Sequence, residues 1–284
     1  MYQVEATTAE VSALSSAWRG ERLRDGRPHV PDHVLEELRT STSEQVWHVL
    51  SHAGYKYHFS GGWQSVFPDR VTVGRVVTAQ FVPKREDLDA AVLRFGESRE
   101  GFFGDQQNAW VVDMLEPGDI MVADIFGKIC EGTVIGDNLG TAIAARTGVG
   151  AIIDGGVRDL DGLGRAPSPV NFYFRGVDPT PIEEVCLVAI NRPVMIGGVT
   201  VLPGDIAHVT PSGATFIPAH LAADVVPMGR RISDRDLFTK ERLSQAKYGA
   251  AQLDLEVWPE EIEADYQEWR KSVQGLVGDG RSLG

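Results

Sequence analysis

The run from Gly136 to Asp159, GDNLGTAIAARTGVGAIIDGGVRD, constrains this chain more than any other stretch. Leu139, Ile143 and Ala144 fall on one face at helical spacing and Gly148 closes the pattern, which predicts a helix over Asp137–Thr147. Ala151–Asp154 reads as the next strand. Gly155 and Gly156 read as a sharp turn at its end, carrying Arg158 and Asp159 side by side. Strand ends of α/β sheets are common ligand sites. Arg158 suits a carboxylate, which it grips with two parallel hydrogen bonds. Asp159 offers oxygen ligands to Mg²⁺ or Mn²⁺. The helix start at Gly136-Asp137-Asn138-Leu139 points free N–H groups and a positive dipole end forward. Asp137 and Asn138 also suit simple N-caps. If the loop before the helix and the loop after the strand share one sheet edge, all these groups converge on one small anion.

The rest of the chain supplies a frame. Val71–Val82 is rich in β-branched residues and predicts a strand, as do Asp119–Asp124, Val170–Arg175, Glu184–Ile190, Pro193–Ile196 and Ile206–Val209. Helices are predicted from Asp32, then after Ser43 as N-cap up to Gly54, and over Asp87–Phe95 and Asn108–Leu115. Pro117–Asp119 and Pro203–Asp205 are twin turns that each feed an apolar strand. The predicted class is α/β, with a layered domain over residues 32–230. An N-terminal arm (1–31) and a C-terminal helical extension (231–284) flank it, with helices at Asp234–Ala251 and Pro259–Val273 and an unstructured tail, GDGRSLG. The arm and the helices are expected at oligomer contacts, with Trp258 and Trp269 packing the helices onto a neighbour. Trp63, Phe67, Phe81, Phe102, Phe103 and Trp110 read as core or subunit interface.

A formal net charge of −13 repels nucleic-acid phosphates and anionic lipid, so neither is expected as a partner. An acidic chain that handles an anion needs a local cation, which raises the interest of Arg158. The two cysteines, Cys130 and Cys186, stand far apart and form no readable disulfide framework or zinc ribbon. MYQVEATTAEVSALSSAW lacks a basic and apolar leader pattern, and no apolar run reaches about 18 residues, so a cytoplasmic protein is expected. His48 and His52 lie four apart without an HExxH glutamate and read as packed or exposed residues. A rival route through a lysine Schiff base has only Lys128 of the six lysines near the motif, and it reads better as a surface residue.

These residues resemble the class II pyruvate aldolases of the 4-hydroxy-4-methyl-2-oxoglutarate type and their relatives named as regulators of ribonuclease E activity. The resemblance rests on PGDIMVAD, on GDNL heading a helix, and on G-x-x-R-D at Gly155–Asp159. IGGVTVLPGD and SGATFIP follow as a later strand-turn-strand, and LEELRTSTSEQVWHVLSHAG matches the opening helices. It spans roughly residues 33–230. It implies a swivelling β/β/α-type fold assembled as a homotrimer or homohexamer. It also implies that Asp159 holds Mg²⁺ (or Mn²⁺) partly through water, and that Arg158 binds the pyruvate carboxylate or enolate. Main-chain groups around Gly136, Asn138 and Leu139 then contact the pyruvyl group, and Asp137 orients a catalytic water. One departure is Thr210-Pro211-Ser212-Gly213, where the family often has an Asp before its late Gly.

The expected activity is a metal-dependent retro-aldol cleavage of a 4-hydroxy-2-oxo acid that releases pyruvate or a near relative, with oxaloacetate decarboxylation as a side reaction. Two alternatives stand beside it: a dehydratase or decarboxylase acting on a sugar-derived acid, and a non-catalytic regulator that works by binding protein.

Overall fold

The β-branched run after Val71 becomes the hub of a mixed sheet. The computed structural model describes residues 3–165 and 167–278, apart from the side chains of Arg99, Arg230 and residues 273–278. The expected tail beyond Gly278 lies outside the described residues. In chain order the strands are β1 (Phe59–Ser60), β2 (Gln64–Ser65), β3 (Thr72–Pro83), β4 (Asp119–Asp124), β5 (Thr133–Ile135), β6 (Gly150–Val157), β7 (Asn171–Val177), β8 (Val185–Ile190), β9 (Val194–Ile196), β10 (Val199–Val201), β11 (Ile206–Thr210) and β12 (Gly213–Ile217). The α-helices are α1 (Thr8–Leu14), α2 (Asp32–Leu38), α3 (Ser43–His52), α4 (Glu86–Phe95), α5 (Gln107–Met114), α6 (Asp137–Thr147), α7 (Leu160–Gly164), α8 (Ala222–Ser244), α9 (Ala250–Leu253) and α10 (Glu260–Gly278).

β3, β4, β6 and β7 pair in parallel. β5 joins the end of β6. Strand β3 outruns β4, so two antiparallel strands share its other edge: β11 beside Thr72–Arg75 and β8 beside Ala79–Pro83. β12 and β1 extend the sheet beyond β11, and β2 closes the far edge on β7. Side chains alternate across the central strands with period two. Ile120 and Val122 of β4 join one apolar cluster, while Met121 and Ala123 join the other. Both faces are therefore covered, and such strands read as unbroken apolar runs in the sequence.

Two compact units divide the chain, Met1–Val226 and Pro227–Gly284. In the first, residues 3–31 are folded in. Val4 is fully buried, and the Ala6 N–H donates to the Ile190 carbonyl at 3.0 Å. Arg27 is 1% exposed and grips Asp119 of β4 with both Nη atoms, at 2.8 and 2.9 Å. In the second, Phe238, Leu253, Trp258, Ile262, Tyr266 and Trp269 form an apolar cluster of their own. Trp258 and Trp269 thus serve as that unit's core, where the sequence suggested packing onto a neighbour. Helix α8 begins earlier than expected, at Ala222, and stops at Ser244, just before Ala246 turns left-handed (φ 53°).

Local chemistry shifts other boundaries. Thr42 caps α3 in place of Ser43. Its Oγ1 accepts from the Gln45 N–H, and the Gln45 side chain accepts from the Thr42 N–H. Ser43 points inward instead, 2.6 Å from Thr210 Oγ1. The largest difference is at Gly155 and Gly156, which lie inside β6 and make no turn. A Cβ on Gly155 would sit 2.1 Å from Ile125 Cγ2, and one on Gly156 would sit 2.5 Å from the Ile129 carbonyl oxygen. The glycines admit the neighbouring chain against the strand, and the bend comes later, at Asp159. Among the described residues no helix is long and apolar enough to cross a membrane.

His208 of β11 makes the fold acid-sensitive. It is fully buried, its Nε2 donates to the Ser41 carbonyl at 3.1 Å, and its Nδ1 has no partner. Burial pushes the imidazole down to about 4. A depressed histidine contributes stability that is present above its unfolded value of about 6.5 and lost as pH falls through the folded one, here worth roughly 3 kcal/mol. Asp205, beside it in sequence, acts oppositely. Burial pushes its carboxyl up to about 7, so its contribution is present below about 4 and lost as pH rises through 7. His208→Gln keeps a donor and removes the titration. The difference in urea midpoint between variant and parent should therefore change between pH 7 and pH 4 in the variant's favour. An offset that does not vary with pH would remove His208 from the acid response.

Candidate active site

Helix α6 ends the crossover into β6, and its start faces the end of that strand. It buries Gly140, Ile143, Ala144 and Thr147, one face at i, i+3, i+4 and i+7. Its N-cap is Gly136, and no side chain caps the first turn, so neither Asp137 nor Asn138 serves as the N-cap. The N–H groups of the first turn are therefore available to an anion, backed by the helix dipole.

β6 runs on to Val157, and the Arg158 N–H donates to the Ile135 carbonyl at 3.1 Å, tying the strand end to β5. Asp159 then adopts φ 55°, a left-handed conformation that Asp and Asn tolerate better than most residues. Its carbonyl accepts from the Gly162 and Leu163 N–H groups at 2.9 and 3.0 Å and so starts α7. This tight reversal returns both side chains to the start of α6. A Cβ on Gly136 would lie 2.5 Å from Asp159 Oδ2 and 3.0 Å from Arg158 Nε. Glycine at 136 is what lets the two side chains close over the helix start.

Gly136, Asp137, Asn138, Leu139 and Arg158 line one cavity of about 230 Å³. Asp159 stands at its edge, with Oδ2 3.4 Å from Arg158 Nε. Both side chains are more than two-fifths exposed, so the pair adds little to stability and both groups stay open to a ligand. Asn108, Thr133 and Ile182 also line the cavity. No sequence pattern marked these three. They come from a helix start, a short strand and a loop whose nearness depends on the sheet. Asn108 is buried, and its Nδ2 donates to the Val134 carbonyl at 2.8 Å, joining α5 to the rim beside β5.

The donor set bears on a metal. Among the described residues no group of three His, Cys, Asp or Glu side chains is gathered to hold one. A closed structural site is therefore not formed by those residues. Ions such as Mg²⁺ or Mn²⁺ keep several waters and take one or two carboxylates plus ligand oxygens. Asp159, exposed and among the described residues paired with Arg158, has a carboxylate of the kind such ions take. His48 and His52 lie elsewhere, on the exposed side of α3 with ring centroids 4.2 Å apart. Lys128 is engaged by the Glu183 carbonyl at 2.8 Å and Glu131 at 3.3 Å. Thr210, where the resemblance leads one to look for an aspartate, is buried against Ser43.

The family described as RraA-like (Aldolase/RraA) matches residues 33–215. A Halalkalibacterium halodurans protein, provisionally named a 4-hydroxy-4-methyl-2-oxoglutarate aldolase, is 30% identical over 118 residues, 40% of this chain. The match covers 53% of that protein, so this chain spans about half the length of the curated relative. Two solved structures share the fold. One is an uncharacterised protein from Pseudomonas syringae, with TM-score 0.62, 24% identity, and coverage of 82% of this chain and 98% of the other. The other is RraAS2 of Streptomyces coelicolor, described as an unusual member of the RNase ES inhibitor RraA protein family. It has TM-score 0.61, 23% identity, and coverage of 75% and 98%.

Proposed function

This chain belongs to the RraA-like (Aldolase/RraA) family, and from that premise we propose that it is a divalent-metal-dependent lyase. Its substrate is a 4-hydroxy-2-oxo acid, cleaved by a retro-aldol step to release pyruvate or a close relative. The observation that carries this reading is that Arg158, Asp137 and the uncapped start of α6 line one small cavity, with Asp159 Oδ2 3.4 Å from Arg158 Nε.

Arg158 binds the substrate carboxylate, and the N–H groups at the start of α6 orient the pyruvyl end. Asp159 would hold Mg²⁺ or Mn²⁺. When bound, the cation supplies positive charge where negative charge develops on the 2-oxo end. Asp137 accepts the 4-hydroxyl proton through an ordered water. As the C3–C4 bond breaks, its electron pair passes toward C2–C3 and the aldehyde leaves. C3 then takes a proton to complete pyruvate. Arg158, fixed beside the carboxylate, adds a second positive charge throughout. Oxaloacetate decarboxylation develops the same charge and is the expected side activity. The assembly is proposed to be a homotrimer or homohexamer.

The test is pyruvate release from a panel of 4-hydroxy-2-oxo acids and oxaloacetate, with Mg²⁺ or Mn²⁺ and again with EDTA. Metal-dependent pyruvate formation supports the lyase. A folded protein with no turnover on any of them would return the reading to a sugar-acid reaction or a protein-binding regulator.

Gly136→Ala probes the closeness of the site without removing any of its groups. Gly136 has φ −123°, which alanine adopts freely, and the clashing atoms, Asp159 Oδ2 and Arg158 Nε and Cγ, belong to two flexible side chains. Stability should hold within about 1 kcal/mol, while kcat/KM falls by roughly tenfold to a hundredfold, because Asp159 and Arg158 must move. Unchanged kinetics would mean that their position over the helix start is immaterial.

A further inference from the structure

The twin Pro-Gly-Asp turns differ in one respect that points to a ligand. In the first, Asp119 Oδ2 accepts from the Glu116 N–H at 2.9 Å. In the second, Asp205 Oδ2 accepts from the Leu202 N–H at the same distance. Each carboxyl thus closes its own turn three residues back. Both are buried, at 0% and 6% exposed. Asp119 is completed by the guanidinium of Arg27, which meets both of its oxygens. Asp205 has no such cation among the described residues. The Leu202 N–H is its one hydrogen-bond partner among the described residues, and its other oxygen accepts none.

Asp205 lines a cavity of about 360 Å³, within the size range of small-molecule sites. Trp18, Tyr55, His58, Leu202 and His220 also form its walls. His58 Nδ1 lies 2.9 Å from the Phe216 carbonyl and donates to it, so in the neutral ring Nε2 is left as an acceptor. Asp205 and His58 Nε2 are acceptors, the hydroxyls of Ser15, Ser16 and Thr200 can accept as well as donate, and the remaining walls are largely aromatic and aliphatic. Acceptors beside aromatic faces recognise a cation on an apolar body, through a charge-assisted hydrogen bond and cation–π attraction. None of these walls belongs to the Arg158 cavity. Residues 14–18 and 218–220, which close the cavity, lie outside the span matched by the family.

We propose that this cavity is a second binding site, which takes a small organic amine or guanidine on an apolar body, with Asp205 as its counter-ion. In that arrangement the ligand's cation does for Asp205 what Arg27 does for Asp119.

The experiment is calorimetric titration of the full chain with phenethylamine and benzylguanidine, alongside phenethyl alcohol and phenylpropionate as neutral and anionic matches. The cations are expected to bind at least about tenfold more tightly than the neutral match, and the anion not to bind. Asp205→Asn keeps the acceptor for Leu202 and should lose at least about tenfold in cation affinity while pyruvate release stays at the parent level. Trp18→Ala, on the half-exposed N-terminal segment, gives an independent wall variant should Asp205→Asn fold poorly, and it too should weaken the cations. Equal affinity for the neutral match overturns the proposal. So does cation binding that is unchanged in both variants, or the absence of saturable binding up to about 10 mM.

Discussion

Asp159→Asn is expected to lower kcat/KM for metal-dependent pyruvate release by about 10³ or more, the scale of losing several kcal/mol of charge stabilisation in the transition state. Asparagine is the informative replacement because residue 159 sits at φ 55°, a conformation that asparagine tolerates and alanine does not. The side chain is 45% exposed, and the carbonyl that starts α7 is untouched by the change. The melting temperature should therefore hold while turnover disappears. Raising the metal concentration should recover part of the loss if the carboxylate acts as a ligand. Near-parental activity in this variant, with metal dependence retained, would take Asp159 out of the mechanism and leave the cavity without an ion-holding group.

The second large effect concerns stability. Arg27→Met is expected to cost about 3–5 kcal/mol, because it leaves the Asp119 carboxylate buried without its counter-charge. Asp119 is fully buried, and Arg27 also bonds Asp25 through Nε at 2.5 Å. The pair ties the segment before the family-matched span to the central strand β4. A loss of this size corresponds to a fall in melting temperature of roughly 10 °C for a unit of this length. Asp119→Asn in the Arg27→Met background should recover part of it, since asparagine still accepts from the Glu116 N–H and carries no charge. If the single variant shifts stability by less than about 1 kcal/mol, water reaches Asp119 and the pair is not the anchor described.

Much of the frame was legible because it follows from period and composition. β4 and α6 fall where Asp119–Asp124 and Asp137–Thr147 were expected, since an apolar run between turn residues and an apolar stripe closed by glycine each have one reading. The short strand β9 falls within the expected Pro193–Ile196, while β5, β10 and β12 carried weaker local signals, because three to five residues contain too little period to separate strand from loop. Gly155 and Gly156 misled for a physical reason. Glycine serves a turn and a close approach equally well, and only the presence of Ile125 and Ile129 beside the strand tells which. Trp258 and Trp269 were legible as buried but not as to what buries them. Their partners Phe238 and Leu253 come from other helices of the same unit.

By itself the sequence determined which groups this protein has for chemistry: an arginine and an aspartate adjacent in the chain, a helix start rich in free N–H groups, and a family pattern around them. Those are properties of neighbouring residues, and local stereochemistry suffices to read them. Tertiary structure alone decided that Gly136 lets Asp159 and Arg158 close over that helix start, that Asn108 joins the rim, and that Arg27 completes Asp119 while Asp205 faces a cavity. Each is a contact between segments far apart in the chain. Such contacts depend on how strands are ordered in the sheet, and no local spacing encodes that order.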